Sequence, residues 1–94
     1  MAEGDEFESF VVARFPDGSV IQRYIQGGEY WHVHPEGRGF PGARVPMKRA
    51  ADRVVWQGGE VVPGVPAAKR FYKAVELARI DWLAERADRA ARGM

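Results

Sequence analysis

His32 and His34 are the only histidines in the chain. On a strand, alternate positions put both imidazoles on one face, which is what a pair of facial metal ligands requires. Glu36 stands two residues further on as the third candidate ligand. The competing reading is structural: Tyr30, His32 and His34 form the polar face of a strand whose other face, Trp31 and Val33, packs inward. A first-row metal takes three or four protein ligands or an open water position, and this spacing does not fix a third ligand. A metal-dependent enzyme is therefore one of three functional readings, behind two forms of non-catalytic binding, and no cofactor is expected.

The segment Gly28 to Gly37 resembles the first metal motif of the cupins, in which an H-x-H pair is followed by a glutamate. Here the glutamate comes sooner, Pro35 and Gly37 turn it away, and no later histidine supplies the remaining ligand. A chain of 94 residues with a long helix also lacks room for the double-sheet barrel the family would imply. The family is not assigned. Covalent chemistry has few carriers: cysteine and threonine are absent, and the two serines, Ser9 and Ser19, lie outside any nucleophile-elbow or phosphate-loop context.

Charge is the second chemical signal. Residues 1–37 hold two arginines against seven acids, residues 38–73 hold eight Lys/Arg against two acids, and residues 74–94 balance at four against four. The net charge of +1 therefore conceals a basic middle beside an acidic start. Arg38, Arg44, Lys48, Arg49 and Arg53 are opposed within their segment only by Asp52, and Lys69, Arg70 and Lys73 follow at the start of a helix. Such groups neutralise phosphates and release counterions, and arginine adds bidentate contacts. Phe40, in Gly39-Phe40-Pro41-Gly42, would stack on a base or wedge into a base step. A sequence pI near 8.1 is low for a dedicated nucleic-acid binder, so a solvated or self-paired face and an acidic protein surface compete with that reading.

These residues need elements to hold them. Phe7 to Phe15 is rich in strand formers, Pro16-Asp17-Gly18 is a turn, Val20 to Gln26 alternates, and Gly27-Gly28 turns the chain into Glu29 to His34. Residues 7–34 thus read as a three-strand meander after an acidic start at 1–6. Residues 35–53 read as a basic loop, with three Pro and three Gly between positions 35 and 46 and one or two helical turns after Met47. Val54-Val55-Trp56 and Val61-Val62 flank a second Gly-Gly and read as a hairpin over 54–62. The tetrapeptide Gln-Gly-Gly-Glu occurs at both turns, which suggests one turn solution used twice.

After Pro63-Gly64-Val65-Pro66, the stretch Ala67 to Arg92 has neither Gly nor Pro and predicts a long helix over 66–92 with proline at its first position. Phe71, Val75, Ala78 and Trp82 form one stripe, suited to a sheet. Leu77, Ile80, Ala84, Ala87 and Ala91 form a second at heptad spacing, suited to a homodimer. Leu83 and Tyr72 lie between the stripes.

The expectation is one α+β domain, an antiparallel sheet of four or five strands with a long C-terminal helix on one face. The acidic start is the reverse of a signal peptide, and no apolar run approaches the roughly 18 residues of a membrane span, so a cytoplasmic protein with no membrane partner is expected. The leading functional expectation is non-catalytic binding of nucleic acid or nucleoprotein through residues 38–53 and the helix start. The alternative is a protein interaction or inhibitor module acting through the acidic start and the helix.

Overall fold

The computed structural model describes residues 9–34 and 42–93. It is an α+β fold: an antiparallel sheet of five strands in the order β4-β3-β2-β1-β5, with one short and one long helix. The strands are β1 (Ser9–Arg14), β2 (Val20–Tyr24), β3 (Tyr30–Val33), β4 (Ala43–Val45) and β5 (Glu60–Val61); the helices are α1 (Met47–Trp56) and α2 (Lys69–Arg92). Among the described residues, no helix is long and apolar enough to cross a membrane.

The meander follows from its turns. Proline presets φ at the second turn position and Gly18, at φ +90°, takes the left-handed conformation, so Phe15 and Ser19 close the β1–β2 hairpin through a 2.9 Å backbone hydrogen bond. The register shifts between Val11 and Ala13 on β1. That bulge sends two consecutive residues, Val12 and Ala13, into full burial, where a regular strand would bury alternate ones.

The two Gln-Gly-Gly-Glu copies do different work. Between β2 and β3, Gly27 and Gly28 both adopt positive φ and the Tyr24 N–H donates to the Glu29 carbonyl across a hairpin. In the second copy Gly58, at φ +72°, ends α1, and the Gly59 N–H donates to the Val54 carbonyl at 2.8 Å, the six-to-one bond of a Schellman cap. The expected 54–62 hairpin is therefore corrected. Val54-Val55-Trp56 is the last turn of a helix, and β5 pairs with β1, Val61 opposite Ala13. The β propensity of two valines and a tryptophan suggested a strand, whereas Met47, Ala50, Ala51 and Val54 carry the i, i+3, i+4, i+7 apolar pattern that decides the matter.

The 35–53 loop is corrected in the same way. Ala43–Val45 adds an edge strand to β3 and Met47 begins α1, while residues 35–41 lie outside the described residues.

The core is one cluster between the sheet and the helices: Val12, Phe15, Ile21, Tyr30 and Val45 from the sheet and its turn, Val54 from α1, and Phe71 and Val75 from α2. The first stripe of the long helix is buried as expected at Phe71, Val75 and Ala78. Its main support is α1, and it reaches the sheet where Phe71 stacks on Tyr30 at 5.3 Å. Trp82 then meets Trp56 edge-on at 6.2 Å, under the guanidinium of Arg86.

The helix starts later than predicted. Ala67 sits at φ +62°, a left-handed conformation that costs an L-residue roughly 1–2 kcal/mol, so the helix begins at Lys69 with Ala68 at its cap. The loop before it is stapled by Tyr72, whose hydroxyl accepts from the Val65 N–H at 2.9 Å and donates to the Val62 carbonyl. Tyr72→Phe removes both bonds at once. The expected cost is about 1–3 kcal/mol, read as a drop in the urea midpoint with unchanged slope.

Candidate functional site

Strand register places the chemistry-bearing residues. Ile21, His32 and Ala43 are cross-strand partners, as are Arg23, Tyr30 and Val45, and both rows belong to the face covered by the helices. Tyr30 and His32 therefore point inward, and Trp31 and Val33 lie on the outer face, the reverse of the structural reading of the sequence. The physical reason is that each inward polar group finds a partner. Trp31 is satisfied outside, stacked on Tyr24 at 6.1 Å with its indole N–H donating to Glu29.

His32 is held on three sides. Its ring lies 4.7 Å from that of Phe15, its Nδ1 is 2.9 Å from Nη1 of Arg53 on α1, and its Nε2 is 2.8 Å from Oγ of Ser19. Ser19, almost fully buried, is 2.6 Å from the Asp17 carboxylate, which also takes the Ser19 backbone N–H. These contacts fix the protons. Arginine can only donate, so Nδ1 carries a lone pair and the neutral ring has its hydrogen on Nε2. Nε2–H donates to Ser19 Oγ, and the hydroxyl donates to Asp17.

The resulting chain resembles a nucleophilic triad by composition and opposes it by direction, since a triad histidine accepts the serine proton. Burial pushes the His32 pKa down, and the nearby Arg53 charge adds to that shift. The two bonds from Ser19 lower the Asp17 pKa.

Both ring nitrogens of His32 are thus committed within the protein, and a metal there would have to displace Ser19 or sit beside the Arg53 cation. His34, the other member of the H-x-H pair, places Nε2 3.1 Å from the Asp17 carbonyl. Glu36 lies outside the described residues. Among those residues, no three His, Asp or Glu side chains gather in a way that could hold a metal ion.

The basic residues divide. Arg53 turns inward to His32 and is not free for a partner while that bond stands. Arg44, opposite Trp31 on the outer face, pairs with Glu29 at 3.4 Å. Lys48 and Arg49 are exposed on α1, and Lys69, Arg70 and Lys73 are exposed on the first turns of α2. The last three line a shallow groove together with Met47, the first residue of α1. Arg38 and Phe40 lie outside the described residues.

A second concavity, a cleft of about 360 Å³, shares Met47 and Arg70 with that groove. Arg23, Arg44 and Arg70 line it, with Glu29 and Tyr30. Arg23 was missed in the sequence because it stands in the acid-rich third of the chain; the Arg23–Tyr30 register and the Tyr30–Phe71 stack bring it to α2. Burial raises the pKa of the Tyr30 hydroxyl, and the charges of Arg23 and Arg70 act against that rise.

On the second stripe of α2, Leu77, Ile80, Ala84, Ala87 and Ala91 are all exposed, as is Leu83. No family model matches the chain, and no curated protein or solved structure is detectably similar to it.

Proposed function

We propose that this is a non-catalytic binding protein that engages an extended anionic partner, nucleic acid or nucleoprotein, through the basic surface at the two helix starts. One observation carries the reading: Lys69, Arg70 and Lys73 of α2 line a groove together with Met47 of α1, and the two residues that follow Met47, Lys48 and Arg49, are exposed as well. None of the five pairs with a carboxylate among the described residues. The surface is redrawn from the sequence expectation, with Arg53 withdrawn into the fold and Arg44 engaged with Glu29.

Fluorescence anisotropy with a labelled duplex tests it. Affinity falls steeply as salt rises, by a log–log slope of about −0.9 for each phosphate neutralised. The combined variant Lys48→Gln, Arg49→Gln, Lys69→Gln, Lys73→Gln loses at least about tenfold in affinity and flattens that slope by up to about 4. Equal binding by variant and wild type across the salt series would refute the proposal.

A second reading has its own observation. Leu77, Ile80 and Leu83 are 53%, 61% and 55% exposed on one helix, a costly display for a monomer. A second copy of the chain packed along α2, or another protein there, would cover them. Sedimentation separates this reading from the first, because an apolar interface resists the salt that releases phosphate.

A further inference from the structure

The geometry points to a binding site for a single phosphomonoester dianion in the cleft lined by Arg23, Arg44 and Arg70. Three arginines line it from three separate elements, β2, β4 and the first turn of α2, where the edge strand β4 meets the helix start. Among the described residues the only carboxylate in the lining is Glu29, already shared between Arg44 and the Trp31 indole N–H, so the described lining carries a surplus of two positive charges. Two is the charge that a phosphomonoester approaches above its second pKa of about 6.

Guanidinium forks match phosphate oxygens two at a time, and three forks exceed what one carboxylate can accept. The Tyr30 hydroxyl lies under the influence of Arg23 and Arg70 and adds a neutral donor to the wall.

The backbone fits the same occupant. Gly28 stands so close to Arg23 that a Cβ there would lie 2.9 Å from Nη2, so the glycine leaves the guanidinium its place on the rim. Met47, also in the lining, opens a helix with no side-chain cap and no acid in its first turn, which leaves the local field positive. At about 360 Å³ the cleft admits the phosphate together with the group that carries it.

The cleft shares Met47 and Arg70 with the polyanion surface, but Lys48, Arg49, Lys69 and Lys73 do not line it, so the two sites are tested by different variants. The phosphate has two sources, a free mononucleotide or similar small ester and the 5′ end of a nucleic acid, and the test separates them.

The experiment is a titration of the full chain, followed by NMR of the arginine Nε–H and backbone amide signals, with inorganic phosphate as first probe. Chloride at matched ionic strength is the control. Saturable shifts confined to the cleft are expected with phosphate and absent with chloride. Arg23→Gln and Arg70→Gln each weaken phosphate binding about tenfold or more, the loss expected when one charge-assisted pair is removed, while Arg79→Gln, exposed on α2 and outside the cleft lining, leaves it unchanged.

Adenosine monophosphate is then compared with a 5′-phosphorylated and a 5′-hydroxyl oligonucleotide. A phosphorylated oligonucleotide that binds far better than both others assigns the nucleic-acid end; a mononucleotide that binds as well assigns the free ester. Wild-type shifts that chloride reproduces, or that fail to saturate, overturn the proposal even if a variant misfolds. Unchanged phosphate affinity in Arg23→Gln and Arg70→Gln overturns it too.

Discussion

Phe71→Ala lowers the unfolding free energy by about 3–5 kcal/mol, the largest effect expected of any single substitution in this chain. Phe71 is fully buried, stacks on Tyr30 and contacts Tyr72, and so joins the sheet, the long helix and the loop before it. Removing the ring leaves a cavity that three anchored elements cannot collapse to fill. A domain of this size has a total stability of about 5–15 kcal/mol, so the variant is left close to its unfolding threshold. Urea denaturation at neutral pH checks it: the midpoint falls sharply. Phe71→Leu, which fills much of the space, falls less, and Leu77→Ala, on the exposed stripe of the same helix, stays within about 0.5 kcal/mol of wild type. A Phe71→Ala midpoint no lower than that of Leu77→Ala would place the core elsewhere.

Acidification is the second large effect. The Arg53–His32–Ser19–Asp17 chain requires neutral His32, and burial with the Arg53 charge holds its pKa below the ordinary 6.5. Asp17 acts in the opposite sense, and His34 adds a smaller push in the same downward direction as Arg53. In the window below 6.5 the unfolded chain binds a proton that the folded chain refuses, so stability is full above about 6.5 and is lost as pH falls through the folded value.

Asp17, also depressed, adds a separate loss at and below its ordinary 3.8. The urea midpoint should be level from about pH 8 to 7 and then decline toward pH 5. His32→Gln, which does not titrate, should keep the midpoint level across that upper window while retaining the acid loss from Asp17. A wild-type midpoint that is flat from 8 to 5 would mean that the histidine is not held neutral.

The parts of the fold that were legible in the sequence are those in which local chemistry and tertiary packing agree. Pro16-Asp17-Gly18 and Gly27-Gly28 announce their turns, and an uninterrupted run after Pro66 announces α2. The misreadings arise where the two disagree. Val54-Val55-Trp56 has strand-forming side chains and a helical address, set by Met47, Ala50 and Ala51 before it and the glycine cap after it.

On β3, alternation showed which residues share a face and not which face is buried. Trp31 and Val33 are the more apolar pair, yet Tyr30 and His32 are the pair with partners on the helix side. The basic surface was visible as composition. The arginine cleft was not, because strand pairing joins Arg23 to Arg44 and Arg70 from the other side of the charge divide.

The long helix changes character at Trp82. Before it, the face carrying Phe71, Val75 and Ala78 is buried; after it, every described residue from Leu83 to Gly93 is exposed, and the molecule measures 60 Å along one axis against 29 and 19 Å along the others. An isolated helix shorter than about 12–15 residues is marginal in water, and the ion pairs Glu85–Arg89 and Asp88–Arg92 add only tenths of a kcal/mol. Amide hydrogen exchange should therefore break in two along one continuous helix: protons up to Trp82 escape only by global opening, and those beyond it escape by local fraying. Slow exchange on the far side would report that something has come to rest there.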